Sequence, residues 1–156
     1  MSTPKFVKFV GFFLIALGLL AFVPQLLSAP FVGDPVMKVN LGYGRLFGVF
    51  PTNISYNLLR IAFGVWGFAA SRDIARSIFF CQIMAVTYAV MTIMGQMPGL
   101  GTMFGYLPLF SYDNWLSATL AALSAFYGFR TIKWRPLVRF RGRTVFSEKL
   151  SKTESF

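Results

Sequence analysis

The chain has 156 residues, of which 56% are hydrophobic and 13% are charged, and its formal net charge is +10. A soluble domain of this size needs more polar side chains to cover its surface, and the composition therefore indicates a membrane protein. With no histidine and one cysteine, Cys81, the chain can form neither an internal disulfide nor a Cys/His metal site. No residue set amounts to a catalytic constellation, and we therefore expect neither enzyme activity nor a cofactor.

Four apolar segments are candidate membrane spans, because about 20 apolar residues cross the roughly 30 Å hydrocarbon core of a bilayer. The first follows Lys5 and Lys8 and resembles a secretory signal. However, Leu27 stands where cleavage needs a small residue, and Pro30 would follow the cut, so we interpret the segment as a retained helix. In chain order, the predicted spans are residues 9–27, 54–71, 77–97 and 115–132.

The distribution of basic residues orients these spans. If the N-terminus is cytoplasmic, all of the 15 basic residues except Lys38, Arg45 and Arg60 fall on the cytoplasmic side. Such a bias follows the positive-inside rule. The sequence therefore predicts an all-α membrane protein, a four-transmembrane-helix bundle with both termini in the cytoplasm.

A short phrase occurs twice and indicates an internal repeat. In Phe47–Pro51 (FGVFP) and Phe104–Pro108 (FGYLP), the proline stands six residues before an asparagine, Asn57 or Asn114. Each copy precedes an apolar segment that ends in arginine, which favours a duplicated hairpin. We therefore predict two parallel helical-hairpin repeats around a pseudo-two-fold axis along the membrane normal. The predicted transmembrane domain is residues 1–132, with repeats at about 6–71 and 77–132.

Polar residues recur near the start of the second and fourth predicted helices. One interpretation is that Asn57 and Asn114 cap these helices, since asparagine is a preferred N-cap residue. The alternative is a polar cluster facing the pseudo-axis, formed by Asn57, Arg60, Asp113, Asn114 and Ser117. A cation at membrane depth costs roughly 2.5–3.5 kcal/mol. We expect Arg60 either to pair with Asp113 and join the two halves or to extend to the outer headgroups.

Small residues form two helix faces that allow close backbone approach. Gly64 and Gly67 lie on the second helix, and Ser117, Ala121 and Ala125 recur at every fourth residue of the last. We favour their use inside the bundle. The alternative is contact with another subunit, in a homo-oligomer or a membrane protein complex.

An ordered pattern of motifs runs from Gly11 to about Phe129. Its members are Gly11, Gly18, Phe22–Pro24, Leu46–Phe50, Asn57–Arg60, Gly64–Gly67 and Asp113–Leu116. In this pattern the chain resembles the small bacterial four-helix membrane proteins grouped as domain of unknown function 4383. The resemblance implies a four-helix fold in the bacterial cytoplasmic (inner) membrane. It carries over no activity, because the family has none established.

The chain departs from that family at two positions. Members typically contain Asn-x-x-His and Asp-Asn-x-x-His, whereas Arg60 and Ser117 occupy the histidine positions here. A guanidinium only donates hydrogen bonds, and a hydroxyl is a weak metal ligand. We therefore expect no histidine-ligated haem or metal.

Residues 133–156 are expected to form a basic cytoplasmic tail. Near anionic lipid each basic residue gains about 1 kcal/mol. The positive-inside rule accounts for this charge without nucleic acid as a partner. The residues expected to contact lipid headgroups are Arg130, Lys133, Arg135, Arg139, Arg141 and Arg143.

Three functional interpretations remain. We favour a non-catalytic membrane protein that acts as a structural or interaction subunit and packs against membrane partners or lipids. The second is a binder or carrier of a small apolar or anionic ligand, held in an outward-facing polar pocket around Arg60. An enzyme is the weakest, because the chain offers almost no general base, nucleophile or metal ligand.

Overall fold

A computed structural model describes residues 1–130 of the chain. Most of these residues are helical, and a small antiparallel sheet with strand order β1-β2-β3 lies in the connection between the first two helices. The helices are α1 (Thr3–Leu20), α2 (Ile54–Ala70), α3 (Ile74–Gln96) and α4 (Tyr112–Phe129). The strands are β1 (Leu27–Ser28), β2 (Gly44–Leu46) and β3 (Phe50–Thr52), and 3₁₀ turns occupy Pro24–Leu26 and Met103–Gly105.

The prediction of four helices is confirmed, although their bounds differ from the predicted spans, most of all for the first helix. α2 ends at Ala70 rather than at residue 71, α3 begins at Ile74 rather than at residue 77, and α4 begins at Tyr112 rather than at residue 115. α1 begins at Thr3 rather than at residue 9, because Pro4 in the first turn has the backbone geometry of a helix start. It ends at Leu20 rather than at residue 27, since Pro24 holds Val23 in an extended conformation (φ −88°, ψ 108°). The sheet was not predicted, because strands of two or three residues are too short to show an alternation of apolar and polar side chains.

The helices alternate in direction, so the described part of the molecule has two ends. The loop end carries the two long connections, residues 21–53 and 97–111. The turn end carries the N-terminus, the short connection Ser71–Asp73 and the end of α4. The two long connections contact each other, because the Lys38 N–H donates to the Gly105 carbonyl at 2.9 Å.

Backbone contact joins the helices within each hairpin. A Cβ atom on Gly11 of α1 would lie 2.8 Å from the carbonyl oxygen of Gly64 on α2, so a larger residue would push these helices apart. In the second hairpin, a Cβ atom on Gly128 of α4 would lie 3.0 Å from the backbone nitrogen of Gln82 on α3. The fold is therefore built from two close pairs, α1–α2 and α3–α4.

Side chains join the two hairpins to each other. The ring of Phe6 stacks on that of Tyr127 at 4.2 Å, and a Cβ atom on Gly67 would lie 2.8 Å from the ring of Phe80. Gly64 and Gly67 are thus used within the chain. Within residues 1–130, the largest buried apolar cluster consists of Phe6, Val7, Val10, Leu14, Ala70, Phe80, Cys81, Met84, Tyr88 and Leu120.

The repeated phrase forms the same kind of turn in both places. The φ angles are 54° and 71° at Phe47 and Gly48, and 59° and 92° at Phe104 and Gly105. In each turn, the residue after the glycine donates its N–H to the carbonyl before the phenylalanine, at 3.1 and 3.2 Å. Positive φ at both central residues is typical of a type I′ turn. The phrase therefore encodes an equivalent chain reversal at both places.

Two of the described helices are long and apolar enough to cross a membrane, judged by length and composition. These are α1, with a mean hydropathy of 1.7, and α3, with 1.8. Both meet the requirement of about 17 to 25 residues for a spanning helix.

Candidate functional site

A buried ion pair joins α2 to α4 near the loop end. Arg60, in the second turn of α2, donates through Nη2 to Oδ1 of Asp113, in the first turn of α4. The hydroxyl of Tyr56 donates to Oδ2 of the same carboxylate at 2.5 Å. Tyr56 and Arg60 share one face of α2, and the guanidinium carbon lies 4.0 Å from the centre of the tyrosine ring. Both carboxylate oxygens of Asp113 therefore accept hydrogen bonds from α2.

The pair is withdrawn from solvent. The side chains of Arg60 and Asp113 are 2% and 0% exposed. Such burial is costly for an isolated charge, and removing one partner from a buried pair typically costs about 3–5 kcal/mol. The guanidinium of Arg60 thus lies inside the protein, in contact with Asp113. The described residues provide no hydrogen-bond partner for its remaining amino nitrogen, Nη1.

Asn53 fixes the start of α2. Its Oδ1 accepts the N–H of Tyr56 at 2.9 Å, as an N-cap residue does. Its Nδ2 donates to the carbonyl of Tyr106 at 2.8 Å and to that of Val39 at 3.2 Å. The same side chain therefore caps the helix and connects it to both long connections. This arrangement holds Tyr56 and the following turn of α2 in register with α4.

Capping by Asn57 and Asn114 is wrong, because both residues lie inside their helices. Asn57 accepts a hydrogen bond from the hydroxyl of Thr52, in the strand before α2. The Oδ1 atom of Asn114 is buried with no hydrogen-bond partner among the described residues, and this side chain packs beside Gly95 of α3.

The structure brings together only part of the predicted cluster. Arg60 and Asp113 are in contact, whereas no hydrogen bond within residues 1–130 joins either side chain to Asn57 or Asn114. Ser117 is buried on α4, one turn after Asp113. The five residues of the predicted polar cluster are thus divided between an ion pair and separate packing positions.

Two members of the site were not found from sequence, Tyr56 and Asn53. Tyr56 stands four residues before Arg60, a spacing that places both on one helix face. Asn53 directly precedes the apolar helix, which is the N-cap position. Both signals were therefore in the sequence.

A second ion pair, Asp34–Arg45, lies within the first long connection. Arg45 holds Asp34 through two hydrogen bonds, from Nη2 at 2.6 Å and from Nε at 2.9 Å. Its guanidinium lies 4.1 Å from the ring centre of Phe31, and its Nη1 donates to the hydroxyl of Ser111 at 3.3 Å. The hydrogen bond from Arg45 lowers the pKa of Asp34 below its ordinary value, and the same bond raises the pKa of Arg45.

Two cavities within residues 1–130 lie away from the Arg60–Asp113 pair. One cavity of about 340 Å³ lies at the turn end beside Arg76, and another of about 340 Å³ lies at the loop end beside Gln96. Neither is lined by Arg60 or Asp113. Residues 1–130 contain no group of three or more acidic, cysteine or histidine side chains that could hold a metal ion.

Of the residues expected to contact lipid headgroups, one lies in the described part. Arg130 is exposed at the turn end, with its guanidinium carbon 5.1 Å from the ring centre of Phe126. The other five lie outside the described residues, as does the predicted basic tail: Lys133, Arg135, Arg139, Arg141 and Arg143.

Comparison with known proteins gives a match to one family. The model of the family described as domain of unknown function DUF4383 matches residues 5–130. Comparisons with curated proteins and with solved structures gave no match.

Proposed function

Because the chain belongs to the DUF4383 family, a domain of unknown function, we propose its role from its own geometry. We propose a non-catalytic, multi-pass membrane protein that acts as a structural or interaction subunit. Its partners are membrane lipids and either a second copy of the chain or another membrane protein, with no role for nucleic acid. The observation that carries this proposal is the buried ion pair between α2 and α4.

Exposed apolar side chains support a membrane location for all four helices. Soluble proteins rarely expose apolar patches of more than a few hundred Å². α2 and α4 have 17 and 18 residues, the lower end of the length that spans a bilayer. Large apolar side chains at least one third exposed occur on every helix, among them Phe9, Phe12, Val65, Phe68, Phe79, Val86, Ile93, Leu123 and Phe126.

Charge supports one orientation of the protein in a bacterial inner membrane. The turn end carries exposed basic residues with one acidic residue, Asp73, among the described positions. At the loop end, Arg45 is neutralised by Asp34. The positive-inside rule then assigns the turn end to the cytoplasm. The basic residues at the turn end are Lys5, Lys8, Arg72, Arg76 and Arg130.

The ion pair supports a structural role because protein groups fill its surroundings. Arg60 faces the ring of Tyr56, and Asp113 accepts hydrogen bonds from both. The pair joins the first hairpin to the second, and in a low-dielectric environment it strongly disfavours their separation. An arginine with this role positions helices and leaves the outer faces available for partners.

The repeated phrase supports two related halves. The residue directly before the repeated asparagine is Tyr56 in one half and Asp113 in the other, and these two side chains are hydrogen-bonded. Equivalent positions that contact each other lie close to a symmetry axis. The two type I′ turns and the two close helix pairs agree with the same arrangement.

Isolation of the tagged protein in mild detergent tests the role. Native mass spectrometry should detect a stoichiometric partner subunit or a homo-oligomer. Arg60→Ala should both lower the melting temperature and weaken that assembly, because the variant lacks the ion pair that joins the two hairpins. Ser55→Ala, in the first turn of α2 and outside the ion pair, is the control and should leave both unchanged.

One observation favours a second candidate, the small-ligand binder. The Nη1 atom of Arg60 and the Oδ1 atom of Asn114 are buried and have no hydrogen-bond partner within the described residues. A small polar ligand would satisfy such groups. A monomer that carries a bound small molecule, and loses it in Arg60→Ala without a change in melting temperature, would establish this candidate and overturn the first.

A further inference from the structure

A groove at the turn end lies between α2 and α3, away from the ion pair. Its volume is about 340 Å³, within the range of small-molecule sites. α2 and α3 belong to different hairpins and pack less closely than the helices within each hairpin, which leaves the groove open. It is lined by Trp66, Ala69, Ala70, Ala75, Arg76 and Phe79.

The walls of the groove are held by aromatic packing. The ring of Trp66 meets Phe80 edge to face at 5.0 Å and Phe79 at 6.3 Å. Gly67 allows this arrangement, because a Cβ atom there would lie 2.8 Å from the ring of Phe80. Three of the six lining residues are alanines, which leave space along the helices for an extended apolar chain.

One charged side chain lines this apolar groove. Arg76 is exposed and forms no ion pair with any residue in the described part of the chain. The nearby carboxylate of Asp73 accepts the backbone N–H of Arg76 at 3.0 Å and caps α3. Lys8, with its Nζ 5.6 Å from the ring centre of Phe68, and Arg72 add positive charge at the same end.

We propose that this groove binds one anionic phospholipid, with an acyl chain along the alanines and aromatic rings and its phosphate at Arg76. A guanidinium matches the geometry of a phosphate, and tryptophan favours the boundary between headgroups and acyl chains. An apolar groove with a cation at its edge fits an amphiphile better than a soluble anion. The inference rests on the proposed membrane location.

Native mass spectrometry of the full chain, with phosphatidylglycerol and phosphatidylcholine in equal amounts, tests the site. The wild-type protein should retain one phosphatidylglycerol in preference to phosphatidylcholine. Arg76→Gln should reduce that preference by about fivefold, the effect of one basic residue that contacts the anionic headgroup. Lys5→Gln, the same charge change at the same end, should leave the preference close to that of the wild type.

A second variant tests the groove independently of charge. Ala69→Phe fills the space from an exposed position and should abolish retention of both lipids, with the melting temperature in detergent showing that the variant is folded. Equal retention of the two lipids by the wild type, equal effects of Arg76→Gln and Lys5→Gln, or retention by Ala69→Phe would each overturn the site.

Membrane fractionation separates failure of the site from failure of the proposed function. A chain found in the membrane fraction that shows no preference for phosphatidylglycerol refutes the lipid site alone. A chain found outside the membrane fraction refutes both the site and the membrane role.

Discussion

Two arginine–aspartate pairs lie near the same end of the protein and differ in what they connect. Arg45 and Asp34 are 11 residues apart in one connection, and their side chains are 6% and 10% exposed. Arg60 and Asp113 are 53 residues apart on two helices, and their side chains are 2% and 0% exposed. The first pair closes a loop, whereas the second joins two hairpins. The same chemistry should therefore contribute very differently to stability.

The largest expected effect is that of Asp113→Asn. The substitution preserves the shape of the side chain but leaves the buried guanidinium of Arg60 without a counter-charge. We expect a loss of about 3–5 kcal/mol in the free energy of unfolding. Denaturation in mixed detergent micelles measures it, with Asp34→Asn as the matched control. Equal losses in the two variants would contradict the distinction between the pairs.

The next effect is that of Tyr56→Phe. The variant keeps the ring beneath Arg60 and removes the hydroxyl that donates to Asp113 at 2.5 Å. A hydrogen bond to a charged group typically contributes about 1.5–3 kcal/mol, and we expect a loss in that range from the same denaturation measurement.

Tyr43→Phe is the control for this prediction. The hydroxyl of Tyr43 donates to the uncharged carbonyl of Pro35 at 3.0 Å, in the exposed connection that holds the Asp34–Arg45 pair. We expect a loss of about 1 kcal/mol or less. A loss in Tyr43→Phe as large as that in Tyr56→Phe would mean that the charge of Asp113 does not strengthen the bond.

The sequence predicts one of the two ion pairs and not the other. The energetic cost of an arginine at membrane depth requires a partner, and Asp34 and Asp113 are the acids of the predicted outer side. That argument leads to Asp113, which is in contact with Arg60. It does not lead to the Asp34–Arg45 pair, because both residues lie in a connection whose path depends on a short sheet that has no sequence signal.

Helix positions were predictable to different degrees for physical reasons. The start of α2 at Ile54 follows from the apolar run, but the capping interpretation names Asn57, whereas the N-cap is Asn53. An N-cap precedes the first helical residue, and a residue within the helix cannot take that role. The pairing of α1 with α2 and of α3 with α4 follows from the predicted repeat, whereas the side-chain contacts between the hairpins depend on tertiary packing that no local pattern specifies.

A smaller effect is expected for Asp34→Asn at low ionic strength. The pair is almost buried but lies in a connection, so we expect a loss of about 1 kcal/mol, near the upper end for surface pairs. Salt should reduce this loss, since screening acts on charges near water. The loss in Asp113→Asn should change little between low and high salt. If salt reduced the loss equally in both variants, the result would contradict the inference that the two ion pairs differ in their exposure to water.

The smallest expected effect is the change, at acid pH, in the contribution of Asp34 to stability. Its pKa in the folded protein is lowered by the hydrogen bond from Arg45, so the folded state holds this proton less tightly than the unfolded chain. The contribution of the pair to stability is then complete above the ordinary pKa of 3.8 and is lost as the pH falls through the lowered value. The stability difference between the wild type and Asp34→Asn should therefore be constant from pH 7 to about 5 and shrink below about pH 4. Because the two proteins differ only at residue 34, the difference in their stability isolates the contribution of Asp34. A difference that grows as the pH falls would mean that Asp34 is stabilised in its protonated form, and the Asp34–Arg45 pair would not be an ion pair in solution.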